Sequence, residues 1–329
     1  MVGSDQLPLG QGDEGEAVRD LQRRLRVGEI VVDAGEAGRY GPATEDAVRR
    51  FQKERGLHVD GVCGHQTWSA LVEASYRLGA RLIYHRVPML RGDDVADLQL
   101  RLSEMGFDAG RVDGICGPAT ARALRDFQQN SGLTVDGICG PATVEALHRV
   151  GSRGGHTAVA TVREEERLRA SPRDLHGRRL VVGERGGLGA LADAVGRSLQ
   201  EAGAVVAVLH HPEGSEHARQ ANEFGGELYL GLDLRAAAGG LVTYYRTPGF
   251  ESVGGRRLAE LAGSELGMIL TLDSPPAGGM RVPVLRETRM PAVVCELGPP
   301  SDVVTHTGEL AAAVQRAVTR WLAQPVAEG

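Results

Sequence analysis

Aromatic side chains are scarce, at 4% of the chain, too few for a platform that stacks the bases of single-stranded nucleic acid. Neither sign of charge dominates. The 37 basic and 43 acidic residues give a formal net charge of −6, without the basic surplus that binding to a phosphate backbone requires. No stretch approaches the ~20 consecutive apolar residues of a membrane-spanning helix. Residues 1–15 lack a basic patch followed by an apolar run, so no secretion signal is expected and a cytoplasmic location is. Cysteine is rare too. Cys63, Cys116 and Cys139 recur at one slot of a repeated motif, and no two cysteines stand at the close spacing of a metal knuckle. These three, and Cys295 in an apolar run, read as buried free thiols acting as small apolar side chains.

What the chain does have is a thirteen-residue stretch written three times. It reads Val-Asp-Gly-Val-Cys-Gly-His-Gln-Thr-Trp-Ser-Ala-Leu at 59–71. At 112–124 it is Val-Asp-Gly-Ile-Cys-Gly-Pro-Ala-Thr-Ala-Arg-Ala-Leu, and at 135–147 Val-Asp-Gly-Ile-Cys-Gly-Pro-Ala-Thr-Val-Glu-Ala-Leu. A shorter echo, Tyr-Gly-Pro-Ala-Thr-Glu-Asp-Ala-Val, stands at 40–48. Asp-Gly favours a tight turn. Gly117 and Gly140 then precede Pro118 and Pro141, and proline is well suited to the first position of a helix. Apolar residues come next at helical spacing, as in Ala123, Leu124 and Phe127. The motif is architecture, not chemistry.

With 329 residues there is room for two or three domains. The motifs fall into two tandem units. Phe51 and Phe127 match at the same offset as Gly61 and Gly137, and Val18, Leu21, Leu25 answer to Val95, Leu98, Leu102. The i, i+3, i+7 spacing of each triplet puts three apolar residues on one helical face. Two copies of so long a period mean small tandem domains, not a solenoid. We place the first at 10–72 and the second at 88–150, each as three helices joined by Gly-rich turns. Residues 73–87 between them have a helical pattern and read as a helical connector. Residues 151–177 read as a linker, in which the charged run 163–169 is a solvated helix or hinge.

Three fragments carry a resemblance: Gly-Asp-x-x-x-x-Val-x-x-Leu-Gln-x-x-Leu from 12, Tyr-Gly-Pro-x-Thr-x-x-Ala-Val-x-x-Phe-Gln from 40, and Gly-Leu-x-Val-Asp-Gly-x-x-Gly from 56. Together they resemble the peptidoglycan-binding repeat of bacterial cell-wall hydrolases, and the second unit matches equally well. The resemblance implies a wall-glycan or stem-peptide ligand, with no contacting residue identified. The connector is similar to that of actinobacterial CwlM-type amidase-like proteins, which also carry two such repeats.

From Leu180 onward, apolar strands alternate with helices. The strands are read at 180–182, 205–209, 228–234, 241–245 and 293–297. The helices are read at 191–202, 217–224, 256–266 and 309–322. This alternation argues an α/β domain at 178–324 with a mostly parallel sheet. Its order resembles the zinc-dependent N-acetylmuramoyl-L-alanine amidase domain. The fragment Val-Leu-Arg-Glu-Thr-Arg-Met-Pro-Ala-Val-Val-Cys-Glu-Leu-Gly at 284–298 resembles the family's segment ending in the catalytic glutamate, a role that falls on Glu296. A second fragment is Arg-Gln-Ala-Asn at 219–222, which leads into 227–235.

The resemblance implies a Zn²⁺ held by three protein ligands, usually two His and one Glu, with an open position for water. The metal lowers the pKa of that water and polarises the amide carbonyl, while a glutamate moves the proton. Here the ligand slots have changed. Arg185 stands where the resemblance puts the first His, and Asp233 where it puts the second. Glu184 is a substitute for the middle Glu on one alignment and a turn residue on another. Arginine stays protonated and cannot ligate a metal. The expectation is an ion pair of Arg185 with Asp233 or Glu296, and no zinc. His210, His211 and His217 form the only other local cluster, without a carboxylate at ligand spacing.

The functional expectation is an amidase-like pseudoenzyme that binds peptidoglycan or its precursors and regulates wall synthesis, with a cytoplasmic wall-synthesis enzyme as a candidate partner. The alternatives are an active amidase cleaving the bond between muramic acid and the stem peptide, with zinc as cofactor, and a plain wall-binding module.

Overall fold

The repeated motif becomes legible once its glutamines are placed. Gln52 lies on helix α2 (Pro42–Arg55) and is 1% exposed. Its Nε2 donates toward Asp60 Oδ1 at 2.6 Å, the Val62 carbonyl at 3.0 Å and Thr67 Oγ1 at 3.1 Å. Its Oε1 accepts the Gly61 N–H at 2.9 Å. Gln128 on α5 (Pro118–Asn130) does the same with Asp136, Ile138, Thr143 and Gly137. Gln99 on α4 (Asp93–Glu104) repeats it with Asp113, Ile115, Thr120 and Gly114. Gln22 on α1 (Glu16–Val27) bonds in the same manner to Arg39, Thr44 and Gly38. Each copy of the motif is thus a turn latched by a buried side-chain amide from the preceding helix. The turn's polar groups are satisfied inside the protein, as buried donors and acceptors must be.

The structure is a computed structural model and describes residues 6–27, 37–150, 159–273 and 277–326. The chain divides into two compact units, Met1–Ala160 and Thr161–Gly329. In the first, α1, α2 and α3 (His65–Ala74) enclose one core; α4, α5 and α6 (Pro141–Val150) enclose a second. The triplets Val18, Leu21, Leu25 and Val95, Leu98, Leu102 are fully buried. Burying Phe51 and Phe127, the matched pair of the two cores, contributes about 2–3 kcal/mol each. All four cysteines are free and buried. Burial pushes the Cys63 and Cys139 thiols up to about 12, which leaves them unreactive.

The expected helical connector is corrected by the structure. Helix α3 ends at Ala74, and the chain then runs through turns and extended segments. Gly79 takes a left-handed φ of +95°, which stops a helix. Ile83 pairs with Cys139 in an isolated antiparallel bridge and enters the second core, as Leu9 does with Cys63 in the first. A helix through 83 would withdraw that side chain from its core. The end of the connector is therefore the opening segment of the second repeat.

The second unit also begins earlier than the expected boundary. Helix α7 (Val159–Ala170) carries the charged run, and Leu168 and Leu175 lie in the core of the α/β unit. Glu164 accepts from Ser252 Oγ and from the Gly254 N–H at the start of α10 (Val253–Leu266). The part of the proposed linker at 151–158 lies outside the described residues.

The sheet order is β2-β1-β3-β7-β4-β5, with β6 beside β4. The strands are β1 (Arg179–Glu184), β2 (Val205–His210), β3 (Leu228–Leu234), β4 (Gly239–Thr247), β5 (Phe250–Glu251), β6 (Ala277–Met280) and β7 (Ala292–Gly298). β1 pairs in parallel with β2 and β3, β3 with β7, and β4 with β6; β4 is antiparallel to β7 and β5. One face of the sheet, with Leu180, Val182, Leu228, Leu230, Val293 and Cys295, packs with α8 (Gly189–Glu201), α10 and α13 (Thr307–Ala323). Helices α9 (Gly214–Phe224) and α11 (Pro283–Glu287) pack with each other and against β1 and β7. The short α12 (Pro300–Thr305) comes directly after β7.

Candidate functional site at the carboxyl ends of the strands

Ligands of open α/β sheets sit outside the carboxyl ends of the parallel strands, and there strand parity sorts the side chains. Successive residues of a strand face opposite sides. Tyr229 and Asp233 of β3 and Glu296 of β7 therefore share the face opposite the one that holds Leu230, Leu232 and Cys295. Asp233 and Glu296 are direct neighbours in the β3–β7 register. Glu184 is in register with Leu232 and falls on the other face.

Arg185, the first residue after β1, reaches Asp233. Its Nε donates to Oδ1 at 2.8 Å and a terminal nitrogen donates to Oδ2, the two-pronged geometry in which a guanidinium fits a carboxylate. The side chains are 20% and 12% exposed. The bond to Asp233 holds the Arg185 proton more firmly than usual, against the opposing effect of burial. Glu296 adds a further favourable charge at Arg185. Of the two partners open to Arg185 in the sequence, the ion pair forms with Asp233.

Behind the pair lies a buried polar contact that the sequence reading missed. His217, on α9 and fully buried, has Nδ1 2.7 Å from the Tyr229 hydroxyl. A Cβ on Gly183 would come within 2.4 Å of that hydroxyl and 2.5 Å of the imidazole, so glycine is required at that point of β1. Burial first, then the neighbouring Arg185 and His211, pushes the His217 pKa below its ordinary value. A signal was present in the sequence: 229, 231 and 233 alternate on one face, with small Gly231 leaving room between two polar residues.

The other candidates disperse. Glu184 is the last residue of β1 and its side chain caps the turn that follows, with Oε2 accepting the Gly186 and Leu188 N–H groups at 2.8 and 3.3 Å and Oε1 3.0 Å from His210 Nδ1. Burial pushes its carboxyl up, but the hydrogen bonds from His210 and the two amides outweigh it, and its pKa ends below the ordinary value. His211 Nδ1 accepts the Glu213 N–H at 3.0 Å. The three histidines thus have three different polar partners, although the His211 and His217 rings lie near each other with centroids 6.4 Å apart. Among the described residues no group of three or more His, Cys, Asp or Glu is arranged to hold a metal ion.

The donor set does not fit zinc. A metal at this face would meet a fixed guanidinium, and the Asp233 oxygens are already taken by it. Glu296 is one carboxylate where three lone-pair donors are needed.

Two segments, 14–71 and 91–147, match the family described as "Putative peptidoglycan binding domain". The chain is 34% identical over 341 residues to the "N-acetylmuramoyl-L-alanine amidase CwlM" of Mycobacterium tuberculosis, covering 89% of this chain and 84% of that protein. The chain belongs to the CwlM family. Among other relatives, the amidase CwlL of Bacillus licheniformis is 33% identical over 39% of this chain and 41% of its own length. The amidase of Clostridium difficile 630 is 16% identical, with a TM-score of 0.39, over 45% of this chain and 98% of that structure. Within this CwlM-family chain, the helical repeats are the peptidoglycan-binding part and the α/β unit is the amidase-like part. No helix among the described residues is long and apolar enough to cross a membrane.

Proposed function

We infer that the chain binds peptidoglycan or its precursors through its repeats, and that its α/β unit is an amidase fold without hydrolytic turnover. On this reading it regulates wall synthesis from the cytoplasm, with a wall-synthesis enzyme as protein partner. The observation that supports it is the Arg185 guanidinium seated on Asp233, across two slots where the resemblance implies histidine ligands. Amide hydrolysis by this fold depends on a metal to activate water and polarise the carbonyl. Glu296 can accept a proton, but without that metal it has no activated water to serve.

The test is the zinc content of the purified protein, with muropeptide hydrolysis assayed on the same sample. No zinc and no turnover, in folded protein that still binds muropeptides, is the expected result. Near-stoichiometric zinc with release of the stem peptide would overturn it. That outcome would favour the second reading, an active N-acetylmuramoyl-L-alanine amidase, which is supported by Glu296 at the end of β7 and by the name of the M. tuberculosis relative. His210, His211 and His217 would then be the first residues to substitute.

A further inference from the structure

The second peptidoglycan-binding repeat carries a surface that the first lacks. Ile83 stands sixteen residues before its latch glutamine Gln99, whereas the equivalent Leu9 stands thirteen before Gln22. The difference of three residues falls just before α4, and all six side chains at 84–89, Tyr-His-Arg-Val-Pro-Met, are exposed. Leu82 is 52% exposed, Tyr84 38%, Val87 90% and Met89 40%. These are four of the twelve large hydrophobic residues that are exposed among the described part of the chain. A latched three-helix repeat forms without them, as the first one shows.

Charge and backbone point the same way. No Asp or Glu occurs from 74 to 92, while Arg77, Arg81, Arg86, Arg91 and His85 do, in a chain of net charge −6. Arg81 is held by Asp94 and stacks on Tyr76, but Arg86 and His85 are exposed beside the apolar side chains. Ile83 exchanges both of its backbone hydrogen bonds with Cys139. In an antiparallel pair the flanking residues then direct their N–H and C=O groups to the other edge. Among the described residues, no hydrogen bond to the backbone of Leu82 or Tyr84 is present. An open backbone edge of this kind is a template for one more strand.

We propose that residues 82–89 are a docking edge for an acidic, extended peptide segment of a partner protein. The segment adds as a strand beside Leu82 and Tyr84, its carboxylates facing Arg86 and His85 and its apolar residues meeting Leu82, Tyr84, Val87 and Met89. The site is independent of whether the repeats also hold peptidoglycan.

The test uses the full chain, isotopically labelled, and a capped probe peptide alternating Glu and Val over about twelve residues, long enough to span the edge. The amide signals of 82–87 and Met89 are expected to shift on titration. Raising salt from roughly 0.05 to 0.5 M weakens a contact between exposed charges, so binding should fall over that range. A peptide with Lys in place of Glu should not bind. The double variant Arg86→Glu, Val87→Asp alters only exposed side chains, so it folds, and it should weaken the probe about tenfold or more. Tyr84→Pro, which removes one edge N–H, should weaken it as well. Shifts confined to other parts of the chain, or equal affinity in the charge variant, would refute the proposal. So would a response of these amides to purified muropeptides in place of the peptide, or self-association of the protein that the variant abolishes.

Discussion

An arginine clasped by a carboxylate in a mostly buried setting is costly to break from one side. Removing one partner of a buried pair leaves the other uncompensated, at about 3–5 kcal/mol in the fully buried case. With Arg185 and Asp233 at 20% and 12% exposure, Asp233→Ala is expected to cost about 2–3 kcal/mol. The double change Arg185→Met, Asp233→Leu should recover most of that loss in chemical denaturation. A double variant no more stable than the single one would show that the pair is not the source of the cost. His217 makes a second prediction, with a definite sign. Its folded pKa lies below the ordinary 6.5 because burial, and then Arg185 and His211, disfavour the imidazolium. The unfolded chain therefore takes up a proton first as pH falls. The stabilising contribution is complete above about pH 6.5 and is lost as pH drops from there toward the folded pKa. Thermal midpoints of the wild type should fall from pH 7.5 to pH 5.5 more steeply than those of His217→Gln, and parallel slopes would remove His217 from the account. At this scale the sequence was half legible. The resemblance put Arg185 in a ligand slot, and the fixed charge of arginine then called for a carboxylate partner, Asp233 or Glu296. That Glu184 belongs to its own turn needed the parity of β1, which Leu180, Val182 and Glu184 displayed once the strand ran through 184.

A single latch glutamine holds together a helix, a turn and the start of the next helix. Gln128 is 1% exposed and serves four groups of the turn before α6. Replacing it with Leu strands the Gly137 N–H and leaves the Thr143 hydroxyl only its long bond to the Ile138 carbonyl at 3.4 Å, and a buried unsatisfied group costs about 1–3 kcal/mol. Gln128→Leu is thus expected to lose about 2–4 kcal/mol. Hydrogen exchange should speed up first in the 135–143 turn and α6, not in α4. Uniform acceleration across the repeat would mean that the latch is not a local element. The helices of both repeats were readable because proline after glycine, helical spacing and Asp-Gly turns agree with one another. The connector was misread for a physical reason. Leu78 and Leu82 stand four apart, as on a helix, but the core needs Ile83 in an extended bridge with Cys139, and tertiary packing outweighs a few tenths of a kcal/mol of local propensity. Strand β6, an Ala-Gly-Gly-Met segment, was invisible to composition, since its place comes from pairing with β4.

Each of the two units has its own buried cores, and in a chain built this way heat unfolding is not expected to be one all-or-none event. Calorimetry should resolve a transition that Gln128→Leu lowers and another that Asp233→Ala lowers, each variant leaving the other transition in place. That assignment makes a metal test specific to the amidase-like unit. A ligand bound only to the folded state raises stability by RT ln(1 + [L]/Kd), so a zinc-holding α/β unit would melt lower once the metal is stripped. Arg185 already supplies a cation between the strand ends, and no metal ion is needed to offset the charge of Asp233. Dialysis against EDTA should then leave both transitions unchanged within about 1 °C, a shift that corresponds to only a few tenths of a kcal/mol in a unit of this size. A drop of several degrees confined to the α/β transition, reversed by added zinc, would mean that the ion pair gives way to a metal site in solution, and the pseudoenzyme reading would fall with it.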